Sequence, residues 1–66
     1  MGRSTTAITV EQAEAIIRGK RLRRATWSEG LQPPGRPVEA EQADDGAVIL
    51  YYGTLYRRTF VEYTAS

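Results

Sequence analysis

Arginine and aromatic side chains supply the binding chemistry of this 66-residue sequence. Arg23, Arg24, Arg57 and Arg58 present four planar forks, each able to grip phosphate or carboxylate through two parallel hydrogen bonds. Trp27, Tyr51, Tyr52 and Tyr56 offer ring faces, and stacking a base on such a ring contributes ~1–3 kcal/mol in single-strand binders. The densest concentration is Gly19 to Trp27, Gly-Lys-Arg-Leu-Arg-Arg-Ala-Thr-Trp. With Arg18 it holds five of the nine basic residues, and it ends on the only tryptophan. Cationic donors beside an indole suit a phosphorylated, base-containing ligand. The same residues also fit a plainer arrangement, with solvated arginines and Trp27 anchoring a small core.

Catalytic chemistry is poorly represented. Histidine and cysteine are absent, so a serine or threonine nucleophile has no imidazole or thiolate to work with. Neither Gly-x-Gly-x-x-Gly nor the Walker loop occurs. Asp44-Asp45 could hold magnesium, but adjacent acids before Gly46 also describe a solvated turn. No carboxylate pair is favoured for hydrolysis. The expectation is a non-enzyme with no cofactor and no metal.

These groups must be positioned by short elements. Thr9 and Gln12 form a Thr-x-x-Gln capping box, which predicts a helix from Val10 to Arg18. Val10, Ala13 and Ile17 make its apolar stripe, Glu14 and Arg18 pair four residues apart, and Gly19 is the expected stop. Lys20 to Trp27 is a candidate strand with arginines on both faces. Residues 1–7 read as a loose arm and 28–45 as a long loop, with at most a short extended piece from Arg36 to Ala40. Asp45-Gly46 marks a turn into Ala47 to Tyr52, the strongest strand signal. Gly53-Thr54 fits a two-residue turn that sets Tyr52 against Leu55, Tyr51 against Tyr56 and Leu50 against Arg57. Thr59 and Glu62 repeat the capping-box spacing, predicting a final helical turn with Phe60 and Tyr63 on one face. The predicted architecture is one α+β domain over 1–66: an N-terminal helix packed on a small antiparallel sheet, a β-hairpin and a short C-terminal helical turn.

A domain this small buries only ~60% of its unfolded surface, and small scaffolds add disulfides, a metal or a partner subunit. Without cysteine or histidine, oligomerisation is the remaining route, and a two-fold homo-oligomer is expected. The Ala47–Tyr52 strand is apolar on both faces, which also asks for cover on both. A net charge of +1 argues against a dedicated duplex-DNA binder, although basic residues cluster at 18–24 and acidic ones at 39–45. No apolar run approaches membrane-spanning length, and Met-Gly-Arg-Ser-Thr-Thr lacks a signal-peptide core, so a cytoplasmic protein is expected.

The run Ala13 to Ile17 followed by Gly19-Lys20-x-Leu22-x-Arg24-x-x-Trp27 resembles the opening motif of a family of small phage and prophage proteins. That family includes the second type of Thoeris anti-defence protein. Its far end, W-x-P-S-x-x-D-hydrophobic-x-A, is matched loosely by Tyr56, Arg58, Thr59, Glu62, Tyr63 and Ala65. Tyrosine replaces tryptophan there, arginine replaces proline, and the family's closing Asp-Trp has no counterpart. Residues 28–45 are unmatched. The resemblance implies protomers that assemble into dimers or tetramers and sequester a cyclic nucleotide or cyclic ADP-ribose-type immune signal without cleaving it. By position it makes Trp27 the stacking residue, with Arg24 beside it, Tyr56 the second aromatic and Thr59 a hydroxyl contact. Arg23, Tyr51 and Arg58 complete the expected ligand site on their own chemistry. The alternatives are a protein-directed inhibitor such as an anti-CRISPR, using the acidic block at 39–45, and a weak single-strand nucleic-acid binder.

Overall fold

The computed structural model of the chain describes residues 3–25, 35–54 and 56–65. Strand β1 (Thr5–Ile8) leads into helix α1 (Val10–Lys20), followed by β2 (Arg23–Arg24), β3 (Glu39–Ala43), β4 (Val48–Gly53) and β5 (Arg58–Thr64). The five strands form one antiparallel sheet in the order β1-β3-β4-β5-β2. The α+β class is as the sequence predicts.

The start of α1 follows the capping-box expectation. Thr9 Oγ1 accepts from the Gln12 N–H at 3.0 Å, and Gln12 Oε1 accepts from the Thr9 N–H at 2.9 Å. The end does not follow expectation. The helix runs through Gly19 to Lys20, and the left-handed residue is Arg21, at φ 53°. The Arg21 N–H donates to the Arg18 carbonyl and the Leu22 N–H to the Ile17 carbonyl at 3.0 Å, a Schellman closure. Leu22 and Ile17 both pack against the core, which supplies the apolar contact that such a closure uses. That packing fixes where the helix ends, one residue beyond the glycine, with Arg21 as its cap.

The buried cluster joins Ala13 of α1 to Ala40, Val48, Leu50, Tyr52 and Val61 of the sheet. Residues opposite one another in a sheet share a face. Ala40, Leu50 and Val61 therefore form one row, and Tyr52 and Thr59 a neighbouring one, on what we term the inner face. Glu39, Glu41, Ile49, Tyr51, Arg58, Phe60 and Glu62 lie on the outer face. Each fully buried Val or Leu contributes ~1.5–3 kcal/mol, and among the described residues four of the nine buried apolar ones are alanines, so this core is a thin one.

Four further expectations are corrected. Part of the presumed N-terminal arm, Thr5 to Ala7, belongs to β1, which pairs with β3 from Thr5 opposite Ala43 to Ile8 opposite Ala40. Part of the presumed 28–45 loop, Glu39–Ala43, is β3, flanked on both sides by strands. Its glutamates hide the strand pattern because they sit on the outer face, while Ala40 fills the core. The candidate strand Lys20–Trp27 reduces, among the described residues, to Arg23–Arg24 and the Ala25 N–H donating to the Glu62 carbonyl at 2.7 Å. The C-terminal helical turn is instead strand β5, so Phe60 and Tyr63 lie on opposite faces and Thr59 caps nothing.

The β4–β5 hairpin also differs in register. Tyr51 faces Phe60 and Leu50 faces Val61, four residues further along β5 than the two-residue turn required. Four is an even shift, so every side chain keeps its face. The observed register pairs Leu50 with Val61 and Val48 with Tyr63, whereas the expected one sets Leu50 against Arg57. Burial decides between them. Gly53, at φ 91°, begins the longer loop, and Thr54 Oγ1 accepts from the N–H groups of Tyr56 and Arg57.

Candidate functional site

The two faces of the sheet carry different chemistry. On the outer face, Arg58 Nη1 donates to Glu39 Oε1 at 2.9 Å, and its guanidinium lies 5.6 Å from the centre of the Tyr51 ring. Tyr51 donates its hydroxyl to Glu41 Oε1 at 2.8 Å and packs tilted against Phe60, with ring centres 6.3 Å apart. Burial, then the hydrogen bond to Glu41, pushes the Tyr51 phenol above its ordinary pKa. At the other end of this face Arg3 donates to Glu62 Oε2 at 2.6 Å and to Asp45 Oδ2 at 3.3 Å. Hydrogen bonds from the Ala47 N–H and from Arg3 hold the Asp45 carboxyl below the usual range. All three glutamates of the outer face are thus engaged within the chain. Ile49, across from Glu62, is 7% exposed in the single chain, so the apolar outer side of β4 is already largely covered.

On the inner face, Glu14, Ile17 and Arg18 form one wall of a cleft, and Leu50, Tyr52 and Tyr63 form the other. The cleft is a shallow, open concavity of about 310 Å³. The i, i+3, i+4 spacing of the helical residues places them side by side on α1. Tyr52 is buried in the core and forms the floor, so Tyr63, half-buried, is the aromatic ring with accessible surface here. Sheet register sets Thr59 directly across from Tyr52 and Arg24 directly across from Tyr63 on this same face. Among the described residues, neither Glu14 nor Arg18 is in an ion pair.

The predicted ligand site is therefore divided. Tyr51 and Arg58 come together on the outer face, where the parity of β2 also puts Arg23, opposite Thr64. Arg24 and Thr59 lie on the inner face, beside the cleft. Tyr56 projects from the β4–β5 loop at 95% exposure and joins neither group. Trp27 lies outside the described residues. Sequence reasoning passed over the cleft residues Glu14, Arg18 and Tyr63. The signal for the first two was present, because a Glu-x-x-x-Arg pair beside Ile17 flanks the apolar stripe; Tyr63 was obscured by the helical reading of β5.

Asp44 and Asp45 act as turn residues: Asp44 Oδ2 accepts from the Ser4 N–H, and Asp45 Oδ1 from the Ala47 N–H at 3.0 Å. Among the described residues no cluster of acidic, histidine or cysteine side chains could hold a metal. No helix among them is long and apolar enough to cross a membrane. No family model matches the chain, and neither a curated protein nor a solved structure matches it.

Proposed function

We propose that this chain is a non-catalytic binding protein that holds a nucleotide-derived signal in the cleft between α1 and strands β4 and β5. One observation carries the reading. Tyr52 and Tyr63 line one side of a concavity whose other side brings a guanidinium, Arg18, with no carboxylate partner among the described residues. A flat face whose arginines already grip glutamates offers an anion far less, because the incoming group must first displace Glu39 or Glu62. In this reading α1 lies across the inner face, the base rests against Tyr63 and the phosphate meets Arg18, with Arg24 and Thr59 at the margin. The resemblance of the Gly19–Trp27 motif to phage sequestering proteins supports an anti-defence role, acting in the host cytoplasm as a homo-oligomer.

Isothermal titration against cyclic ADP-ribose isomers, cyclic oligonucleotides and mononucleotides tests this reading. Saturable binding lost in Arg18→Gln, with the ligand recovered chemically intact, is the expected result. Flat titrations across all three panels, or breakdown of the ligand, would overturn it.

A second reading, a protein-directed inhibitor, is favoured by the outer face. Phe60 is 50% exposed there, amid Glu39, Glu41, Tyr51 and Arg58, a mixture of aromatic and charged groups suited to a protein partner. A stoichiometric partner recovered from host lysate and lost with Phe60→Glu, together with flat titrations, would select this reading.

A further inference from the structure

The two edges of the sheet are guarded unequally. A free strand edge presents unpaired backbone donors and acceptors, and proteins blunt such edges with charge, proline or shortness. The β2 edge has two of these guards, being only Arg23 and Arg24. The β1 edge, Thr5-Thr6-Ala7-Ile8, is longer, uncharged and rich in β-branched residues. Thr5, Thr6 and Ala7 are exposed. The nearest charge, Arg3, is drawn over the outer face by Glu62 and Asp45 instead of standing at the edge.

Pleat parity identifies the free groups on β1. The Asp44 N–H donates to the Ser4 carbonyl at 2.9 Å, so Ser4 turns its backbone toward β3, and by alternation so do Thr6 and Ile8. Thr5 and Ala7 therefore aim their N–H and C=O groups away from the sheet. Thr9 shares that parity but is already engaged, its N–H by Gln12 and its carbonyl by Ala13. What remains is a stretch centred on Thr6, and it is complementary to itself. In a second copy running antiparallel, Thr5 meets the partner's Ala7, Ala7 meets the partner's Thr5, and Thr6 meets its own equivalent. The two flanking pairs each exchange both N–H···O bonds, and the central pair is the close, non-hydrogen-bonded kind. Centring the contact on Ala7 would call on the Thr9 groups, which are taken. The two-fold axis stands perpendicular to the sheet, so both helices stay on one side. Arg3 falls opposite the partner's Thr9, so no like charges are set against each other.

We infer that β1 is a self-pairing edge through which two copies of the chain join their sheets, with Thr6 of each on the two-fold axis. A second copy is the occupant because the free groups complement themselves, and because a small core without cysteine or histidine gains most from a partner subunit. This names the surface behind the homo-oligomer of the reading above. It needs no ligand in the cleft, which is lined by β4 and β5, with β3 standing between β4 and β1.

The test is sedimentation equilibrium of the full chain across a range of concentrations, repeated with Ala7→Pro, and disulfide crosslinking of Thr6→Cys and Ala7→Cys. The unaltered chain should show a reversible monomer–dimer equilibrium. Ala7→Pro removes only an outward N–H, so the β1–β3 ladder keeps its bonds. Dimer affinity should then fall about tenfold or more, since each copy loses one donor at the seam. Circular dichroism checks that this variant is folded. Where it is not, the cysteine variants decide, because the chain has no cysteine of its own. With oxidised glutathione as oxidant, Thr6→Cys should form a disulfide dimer well ahead of Ala7→Cys. Position 6 alone faces itself, at a spacing that a disulfide spans. A monomer at every concentration overturns the inference and leaves the edge to an extended segment of another protein. A dimer unmoved by Ala7→Pro places the interface elsewhere and overturns it too, as does crosslinking of Ala7→Cys at least as fast as Thr6→Cys. None of these results bears on the nucleotide titrations, so the two readings fail separately.

Discussion

Arg3 donates to Glu62 across 59 positions of sequence, at 2.6 Å. Arg3 precedes the edge strand β1, and Glu62 belongs to β5, so the pair spans the two intervening strands β3 and β4. Arg58 does the same at the other end, reaching from β5 over Tyr51 to Glu39 of β3. Two guanidinium straps therefore cross the outer face and tie together strands that share no backbone hydrogen bonds. Side chains this exposed are worth little singly, since solvent screens the pairing. Their value lies in bridging a thin sheet across its strands, and the Arg3 strap is the one that reaches an edge, at β1.

The first prediction concerns the Arg3 strap. A double-mutant cycle with Arg3→Ala and Glu62→Gln should give a coupling of ~0.2–1 kcal/mol that shrinks as salt is added. Amide exchange should quicken most in β1, whose pairing to β3 is anchored by Ser4 and Asp44 beside this strap. Uniform change across the whole sheet, with none concentrated in Thr5–Ile8, would show that the strap holds no particular edge.

The end of α1 supplies a second test. A non-glycine residue in the left-handed region costs ~1–2 kcal/mol, so Arg21→Gly should stabilise the fold, by ~1 kcal/mol after the added chain entropy. Gly19 sits in the helix body, and a Cβ added there meets nothing within 4 Å. Gly19→Ala should accordingly stabilise by ~0.5–1 kcal/mol. Chemical denaturation of both variants reads the outcome. If the helix stopped at Gly19, both signs would reverse.

Why some of this was legible in the sequence, and some not, follows from where each decision is made. The capping box needs only Thr9, Gln12 and their own backbone, so it reads directly from spacing. Gly46 likewise turns the chain as the Asp-Gly signal indicates, with φ at 94°. Arg21 takes the strained position because Leu22 and Ile17 pack on the core, a tertiary demand that local propensity does not record. The same holds for β3, whose glutamates find partners in Arg58 and Tyr51 from other strands. For the candidate site, spacing offered residue types with binding chemistry but not their grouping: pleat parity separates Arg24 and Thr59 from Tyr51 and Arg58. That separation depended on reading β5 as a strand.

Gly53 gives a third prediction. Its φ of 91° lies in the region that side chains avoid, and a Cβ there would run into the carbonyl oxygen of Arg57. Neither group can withdraw without breaking the Gly53–Arg58 pairing that closes the hairpin. Gly53→Ala should cost ~2–3 kcal/mol, a large loss for so small a core. Gly35→Ala, also at positive φ but with open space around its Cβ, is the control and should cost less. Equal midpoints for the two variants in urea would remove the steric part of the argument.

Tyr51 provides the last prediction, and its sign can be worked through. Burial and the hydrogen bond donated to Glu41 both favour the neutral phenol, so the native pKa lies above the unfolded value of ~10. The contribution of this group to stability is therefore complete below the unfolded pKa. It is lost as pH rises through the raised native pKa, because the phenolate has no proton to donate and stands against the Glu41 charge. In an absorbance titration of the folded protein, Tyr51 should ionise later than an exposed phenol. That late step should vanish in Tyr51→Phe and move toward ordinary values in Glu41→Gln, while Arg58→Gln should push it later still, since the nearby guanidinium favours the phenolate. If the step lost in Tyr51→Phe is not a late one, the bond to Glu41 does not hold this phenol neutral, and the outer-face network must be held by something other than this bond.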